Sequence, residues 1–408
     1  MQTVAVCCLK NEADIVEPLV RHTCRVVDRM IALDDGSLDE TRAILEKLVG
    51  EGLPLEIVER RESDNVQHRR MTRLVCQEAG TRLRADWIVA IDADEFLCLP
   101  PGNLLIPPDL PRDACISLPW RCHVCSSRDD PAELNPAVRL RYRRETEPHP
   151  TFKVIIPGEL ARRDFARIEQ GNHHFWVGEQ RCAEQSHPSA WLAHLPVRSP
   201  GQYLIRVTGT WLTYLSLPQR HPDWGWSSRD AFENFKRDPE RFAKSLVEES
   251  MHYGIPHGRE LRITSETVDD PLPYLGGPLR YTNRPRTIVE ACVLVVRTAE
   301  ELALRQALAA AEESTQFVSA TSPKSNDVRL KSDVHILATL QSTLNDRDAE
   351  RSQLIAQREQ LMLELARCGK ELADEQVQHA RDLTELADER IRHERDLMEL
   401  ADERIRHE

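Results

Sequence analysis

Four short apolar runs, each ending in polar or acidic residues, constrain the first hundred positions more than any other feature. Val4 to Leu9 is β-prone and runs into Lys10-Asn11-Glu12, after which Ile15, Leu19 and Val20 recur at helical spacing. Met30 to Leu33 is the second run. It ends at Asp34-Asp35-Gly36-Ser37-Leu38-Asp39-Glu40-Thr41, where Ser37 or Asp39 can cap a helix from Thr41 to Val49. Leu55 to Val58 precedes an arginine-rich helix from about Val66 to Leu83. Trp87 to Ile91 then ends at Asp92-Ala93-Asp94-Glu95-Phe96. Strands alternating with helices predict an α/β fold, with a mostly parallel sheet flanked by helices on both faces.

In such a sheet, ligands bind beyond the carboxyl ends of the strands, and three of these runs aim polar groups at one crevice. Taken alone, an Asp-x-Asp is most often a solvated turn, and DDGS is a good turn and helix cap. The order of the motifs along the chain raises the functional reading above that. Asp92 and Asp94 point the same way if the strand persists, and two carboxylates brought together repel unless a proton or cation separates them. Oxygen ligands of this kind favour Mg2+ or Mn2+.

Composition excludes several alternatives. The chain has 408 residues, 40% hydrophobic and 30% charged, with a formal net charge of −13, so it carries no Lys/Arg excess with which to bind a nucleic-acid backbone. No stretch approaches the roughly 18 apolar residues of a membrane span, and the amino terminus lacks the pattern of a secretory signal, which predicts a cytoplasmic protein. The eleven cysteines are scattered and odd in number, as suits reduced core thiols. Cys122-His123-Val124-Cys125 has the spacing of half a zinc site, but no second pair follows to close it.

The chain changes character near position 290. Thr287 to Glu313 reads as helix, and STQFVSATSPKSND, residues 314–327, has the composition of a linker. Farther on, RDLTELADERIRHE (Arg381 to Glu394) recurs as RDLMELADERIRHE (Arg395 to Glu408). A period of 14 is two heptads and predicts a coiled coil, with a solvated single helix as the alternative. The seam is imperfect: the register that gathers Leu344, Leu365, Leu372, Leu386 and Leu400 also brings in Arg351, Arg358, His379, His393 and His407. Residues 331–408 hold 12 Lys and Arg against 19 Asp and Glu, so about half of the net charge belongs to the tail. The expected organisation is a catalytic or binding domain over 1–290 (core 1–215, helical extension 216–290), a helix and linker over 291–330, and a coiled coil over 331–408.

The succession KNE, DDGSLDET and DADEF, followed by Phe152-Lys153-Val154-Ile155, Gly171-Asn172-His173-His174 and Ala193-His194-Leu195-Pro196-Val197-Arg198-Ser199, resembles the family 2-like glycosyltransferases of the GT-A fold. The likeness spans roughly residues 3 to 215. It implies a metal-dependent transfer of a sugar, hexosyltransferase-like and inverting by family analogy, from a nucleotide-diphosphate sugar to a glycan, lipid-linked or protein acceptor. Lys10, Asn11, Glu12 and Asp34 or Asp35 would hold the base and ribose. Asp92 would face the ribose or a metal-bound water, and Asp94 would ligate Mn2+ or Mg2+. His173, His174 and His194 are candidates to complete the metal shell, with His174 ranked above His194. The resemblance also opens a diphosphate role for Arg69, Arg70 and Arg73, which are otherwise read as an exposed helix face. Arg198 and Ser199 either serve the phosphates or cap a helix beginning near Pro200. The catalytic base is not identified, since Glu159, Asp164, Glu169 and Glu179 carry no motif. The competing expectation is a non-catalytic nucleotide- or glycan-binding scaffold; under either reading the coiled coil would support a homo-oligomer.

Overall fold

The structure, a computed structural model, describes residues 1–60, 67–147, 151–217, 225–254 and 266–303. The linker and the 14-residue repeats, and with them the expected coiled coil, lie outside the described residues. One compact unit spans Met1–Ala310.

The central strands are β1 (Thr3–Leu9), β2 (Arg29–Asp34), β3 (Leu55–Val58) and β4 (Trp87–Ile91). They pair in parallel in the order β3-β2-β1-β4. The connections are α1 (Val16–Thr23), α2 (Thr41–Gly50) and α3 (Gln67–Thr72), the last continuing as a wider π-helical stretch over Arg73–Arg82. The α/β architecture expected from the alternating pattern is therefore present. The near-continuous apolar runs follow from burial on both sheet faces. Ala5, Cys7, Met30, Ala32, Trp87 and Val89 pack toward α1 and α2, whereas Val4, Val6, Ile31, Leu33, Ile88 and Ala90 pack toward Met71, Leu74 and Val75.

Beyond β4 the sheet is extended by β5 (Glu95–Cys98), β6 (Cys115–Val124), β7 (Tyr142–Arg144) and β8 (Phe152–Pro157). Strand β8 inserts antiparallel between β4 and β6. A small sheet of β9 (Ala166–Ile168), β10 (Phe175–Val177) and β11 (Gln180–Arg181) follows, then β12 (Glu184–Ser186) and β13 (Trp191–His194) return to the main sheet. The short helices α4 (Pro136–Arg139) and α5 (Gly158–Ala161) lie within this part.

Helix α6 (Pro200–Leu215) begins with Ser199, whose Oγ accepts from the Gln202 amide at 3.2 Å, and with Pro at its first position. Of the two roles open for Ser199, the structure shows the cap. Helices α7 (Trp226–Arg237), α8 (Pro239–Lys244) and α9 (Leu246–His252) follow. The segment expected as a helical extension is helical only to here. Strand β14 (Thr267–Asp269) joins β7, and residues 270–287 form an extended strap. A further helix, α10 (residues 288–303), places Ala291 and Leu294 in the same core as α1 and α2.

The strap is fastened by one buried carboxylate. Glu17 on α1 accepts the amides of Arg280, Tyr281 and Thr282, each at 2.8 Å, together with Thr282 Oγ1 and Arg21 Nε. Burial alone would raise its pKa, but these donors outweigh it and hold the group below its ordinary value near 4.5. A depressed carboxyl stabilises the fold above its unfolded pKa and loses that contribution as the pH falls through its folded one. Urea denaturation is therefore expected to show stability falling as the pH drops below about 4.5, with a smaller drop in Glu17→Gln. Glu17→Ala, which strands three amides and leaves Arg21 to Glu51 alone, should cost about 3–5 kcal/mol at neutral pH.

Candidate functional site

Parallel pairing brings the polar strand ends level. Leu9 lies opposite Asp34, and Cys7 opposite Ile91, so Lys10, Asp35 and Asp92 leave the sheet at one edge. The first two loops are knitted together. The Asn11 amide donates to Ser37 Oγ at 2.9 Å, and Asn11 Oδ1 accepts the Leu38 amide at 2.7 Å, with Asn11 itself at φ 58°. The Glu12 amide donates to Thr41 Oγ1, and Asp39 accepts the amides of Ala13 and Thr41. Asp34 accepts the Ser37 amide at 3.0 Å. Thus the side chains of Asn11, Asp34, Ser37 and Asp39 shape the edge, and of the two candidates for the start of α2 it is Asp39 that binds the Thr41 amide. Lys10 Nζ reaches Glu301 on α10 at 3.1 Å.

Asp35 pairs with Arg60 at 3.2 Å and with Arg70 at 3.0 Å. Arg73 donates to Glu59 O and pairs with Glu78. Both Arg70 and Arg73 are buried, whereas Arg69 alone is exposed. The expected exposed face fails for these two because their helix packs under the sheet edge, where each guanidinium meets a carboxylate.

At the end of β4 the carboxylates take different partners. Asp92 accepts from Lys153 Nζ at 2.6 Å, Asn172 Nδ2 at 2.9 Å and Gln67 Nε2 at 3.4 Å. Continuing the antiparallel register of β8 sets Lys153 level with Ile91, which is why its ammonium arrives there. The same ammonium lies 3.3 Å from Glu95 Oε1 and donates to Gly171 O at 2.6 Å. Gly171 and Asn172 both have positive φ, and this left-handed turn presents the carbonyl of one and the amide side chain of the other.

Asp94 is held by Arg206 of α6 through a very short contact, and its Oδ2 lies 3.5 Å from His194 Nε2. Pairing of β13 with β5 sets His194 opposite Glu95, while pairing with β6 stacks its ring on Trp120 at 4.0 Å. Burial alone would raise the Asp94 pKa; Arg206 and His194 outweigh it and hold the group well below the ordinary carboxylate range. Burial keeps the His194 pKa below its ordinary value, leaving a neutral imidazole. Arg198 pairs with Glu12 at 2.5 Å and with Asp14 at 2.7 Å.

The structure brings Asp94 and His194 together. His174 instead turns Nδ1 to Glu184 on β12 at 2.7 Å, and His173 Nδ1 bonds to Phe152 O at 2.7 Å. Among the described residues, no three His, Cys, Asp or Glu side chains converge as a metal cluster. Cys122 and Cys125 are buried core thiols, and His123 bonds to Leu140 O.

The donor chemistry nonetheless fits a hard divalent cation at Asp94 and His194. Five carboxylates (Glu12, Asp14, Asp92, Asp94 and Glu95) face three cations (Lys153, Arg198 and Arg206), and full ionisation would leave a surplus of two negative charges. The surplus shows in proton affinity. Burial pushes Glu12 up to about 7, with Asp14 and Asp94 adding to it against Arg198. Burial likewise pushes Glu95 up to about 8, with Asp92 and Asp94 adding to it against Lys153. Glu95 Oε1 is buried and accepts no well-formed hydrogen bond among the described residues, with Lys153 Nζ 3.3 Å away.

Three residues of this cluster had no role in the sequence reading. Lys153 and Asn172 sat inside quoted motifs, and their one signal was a Lys within an otherwise apolar strand. Arg206 sat in no motif. Replacing Lys153 by Met would leave the fully buried Glu95 and its half-buried neighbour Asp92 without their shared cation. The expected loss is about 3–5 kcal/mol, read by urea denaturation followed through tryptophan fluorescence; a loss below about 1 kcal/mol, the level of an exposed pair, would refute this role.

No protein-family model and no curated protein matches the chain. Among solved structures, it is similar over part of its length to glucosyl-3-phosphoglycerate synthase from Mycobacterium tuberculosis, in complex with Mn2+, uridine diphosphate and glucosyl-3-phosphoglycerate. The identity is 23% over 23% of this chain and 34% of that one, with a TM-score of 0.18. The same synthase in complex with phosphoglyceric acid matches at 18% identity over 29% and 44% of the two chains, with a TM-score of 0.21. A mannosyltransferase from Pyrobaculum calidifontis in complex with GDP-Man and Mn2+ matches at 13% identity over 61% and 74%, with a TM-score of 0.27. The chain thus spans about a third to under a half of the synthase chains that it matches.

Proposed function

We propose that this protein is a metal-dependent glycosyltransferase that moves a sugar from a nucleoside-diphosphate sugar to an acceptor hydroxyl, on a glycan, a lipid-linked molecule or a protein. The observation that carries the reading is the convergence of KNE, DDGS and DADEF at one sheet edge, with His194 delivered beside Asp94 by a later strand. That geometry joins motifs separated by up to about 180 residues of chain, and the resemblance to GT-A enzymes rests on the same motifs.

In this reading Asp94 and His194 hold the divalent cation, and His174, engaged by Glu184, stands outside that pair. The cation would stabilise negative charge on the departing nucleoside diphosphate, which needs no proton transfer. Asp92, fixed by Lys153 and Asn172, is oriented to meet the ribose or a water on the metal. Lys10, Asp35 and Glu12 line the side where base and ribose would lie, with Asn11 and Asp34 setting the loops that form its wall. A neutral, buried His194 is the protonation state in which imidazole binds metal. Inversion and a cytoplasmic site of action are part of the proposal, resting on the family resemblance and on composition. No helix of the described residues is long and apolar enough to cross a membrane.

The protein is expected to hydrolyse or transfer from a nucleotide sugar with Mn2+ stimulation, and Asp94→Ala should abolish this, a loss on the order of 100-fold or more. Undiminished turnover in that variant, with metal still required, would refute the role of Asp94. Nucleoside diphosphate with Mn2+ should also raise the melting temperature; no stabilisation across a nucleotide panel would favour the scaffold reading instead. The tail is proposed to oligomerise the chain: light scattering should give a larger particle for the full chain than for a version lacking 331–408, and monomers in both cases would overturn this.

A further inference from the structure

We propose that Arg206 is an exchangeable counter-ion: it neutralises Asp94 when no divalent cation is bound and turns to the diphosphate of the nucleotide sugar when one is. The inference rests on the glycosyltransferase reading and adds a binding residue that the motifs do not contain.

The three cations of the carboxylate cluster are not equivalent. The Lys153 side chain is 2% exposed and bridges Asp92, Glu95 and Gly171 O. The Arg198 side chain is fully buried, between Glu12, Asp14 and Leu195 O. Departure of Lys153 would strand the fully buried Glu95, and departure of Arg198 would break its pairs with Glu12 and Asp14 together. The Arg206 side chain is 25% exposed, with one nitrogen on Asp94 and Pro196 O and the other on Tyr253 Oη at 2.6 Å. Of the three cations it alone is more than marginally exposed. Its contact atom on Asp94 is Oδ2, the same oxygen that lies nearest His194. A divalent ion held by Asp94 and His194 would therefore meet the guanidinium at like charge, and the guanidinium must turn. A planar fork of donors freed beside a diphosphate finds oxygens that it can bind in pairs.

Competition and recruitment have opposite signatures. If Arg206 and the metal compete for Asp94, removing Arg206 tightens metal binding in the absence of nucleotide; if Arg206 also binds the diphosphate, its removal weakens nucleotide binding in the presence of metal. A purely structural role would weaken both. The test is calorimetric titration of the full chain with Mn2+ alone, and with UDP or GDP at saturating Mn2+, for wild type, Arg206→Gln and Arg206→Lys. In Arg206→Gln, Mn2+ alone is expected to bind about tenfold tighter and the diphosphate about tenfold more weakly, a coupling of ordinary size. Arg206→Lys, which keeps the charge, should fall between and serves as the comparison if the Gln variant does not fold. Mn2+ affinity that is unchanged or lower in the variants, while the wild type binds nucleotide, overturns the proposal and leaves the glycosyltransferase reading standing. A wild type that binds no nucleoside diphosphate with Mn2+ overturns that reading and the diphosphate half of this one; the Mn2+ titrations alone then decide whether Arg206 competes for Asp94.

Discussion

Carboxylates gathered at the buried edge of a parallel sheet are tolerable only if cations come to meet them, and much of the later chain is arranged around that requirement. Asp92, Asp94 and Glu95 follow directly from β4, and Glu12 and Asp14 follow from β1. None is neutralised by its own segment. Lys153 arrives on β8, Arg198 from the turn after β13, and Arg206 on α6. Leaving Asp94 or Glu95, the two that are fully buried, unpaired and ionised would cost several kcal/mol. The antiparallel insertion of β8 and the return of β13 beside β5 are therefore electrostatic as well as hydrophobic necessities: one places an ammonium level with the end of β4, and the other brings an imidazole and a guanidinium to the next turn.

The amino-terminal half of the fold was legible because its signals are local. Trp87 to Ile91 and Leu55 to Val58 coincide with the observed strands, and Thr41 starts its helix as the capping residues imply. Buried parallel strands read as unbroken apolar runs, and their polar ends mark where the sheet stops. Elsewhere the local signal was weak or misleading. Arg70 and Arg73 have good helix propensity and look like surface residues, yet Arg70 is buried against Asp35 of another segment, and Arg73 is buried between Glu78 of its own helical stretch and the Glu59 carbonyl. The stretch over Arg73–Arg82 widens to π-helical hydrogen bonding, as in the Leu83 amide to Glu78 O at 3.0 Å, and nothing in its composition signals that.

The candidate site was legible in its carboxylates and only in part in its other members. A motif such as Asp-x-Asp announces itself because acidic residues at a strand end are costly without purpose. A lysine in an apolar strand, or an arginine seven residues past a helix cap, acquires meaning only from a partner about 60 or 110 residues away. The two histidines separate for the same reason. His174 lies in the conspicuous HH pair but is drawn to Glu184, which the β12 register sets opposite Cys115, while His194 is carried to Asp94 by strand pairing. Adjacency in sequence says little about which imidazole reaches a carboxylate; sheet register decides it.

Burial divides the ion pairs of this edge into those that hold the fold and those that a ligand can exchange. In the pairs of Arg198 with Glu12 and Asp14, and of Lys153 with Asp92 and Glu95, the cation is buried, so removing its partners leaves a charge that water hardly reaches. Lys10 with Glu301 is different: both side chains are roughly a quarter exposed, and a pair of that kind contributes on the order of 0–1 kcal/mol. Helix α10 supplies Glu301, and Arg297 of the same helix donates to Leu38 O in the DDGS loop at 3.0 Å. The loops that would cradle a nucleotide are thus braced from outside by a helix whose polar contacts there are weak, while its core contacts through Ala291 and Leu294 are apolar and persistent. An anionic ligand can take Lys10 from Glu301 at little cost without dislodging the helix, because the hydrophobic effect that seats α10 does not depend on that charge. Buried cations fix the geometry of the edge, and under the proposed function its partly exposed pair, Lys10 with Glu301, would leave a cation available to a phosphate.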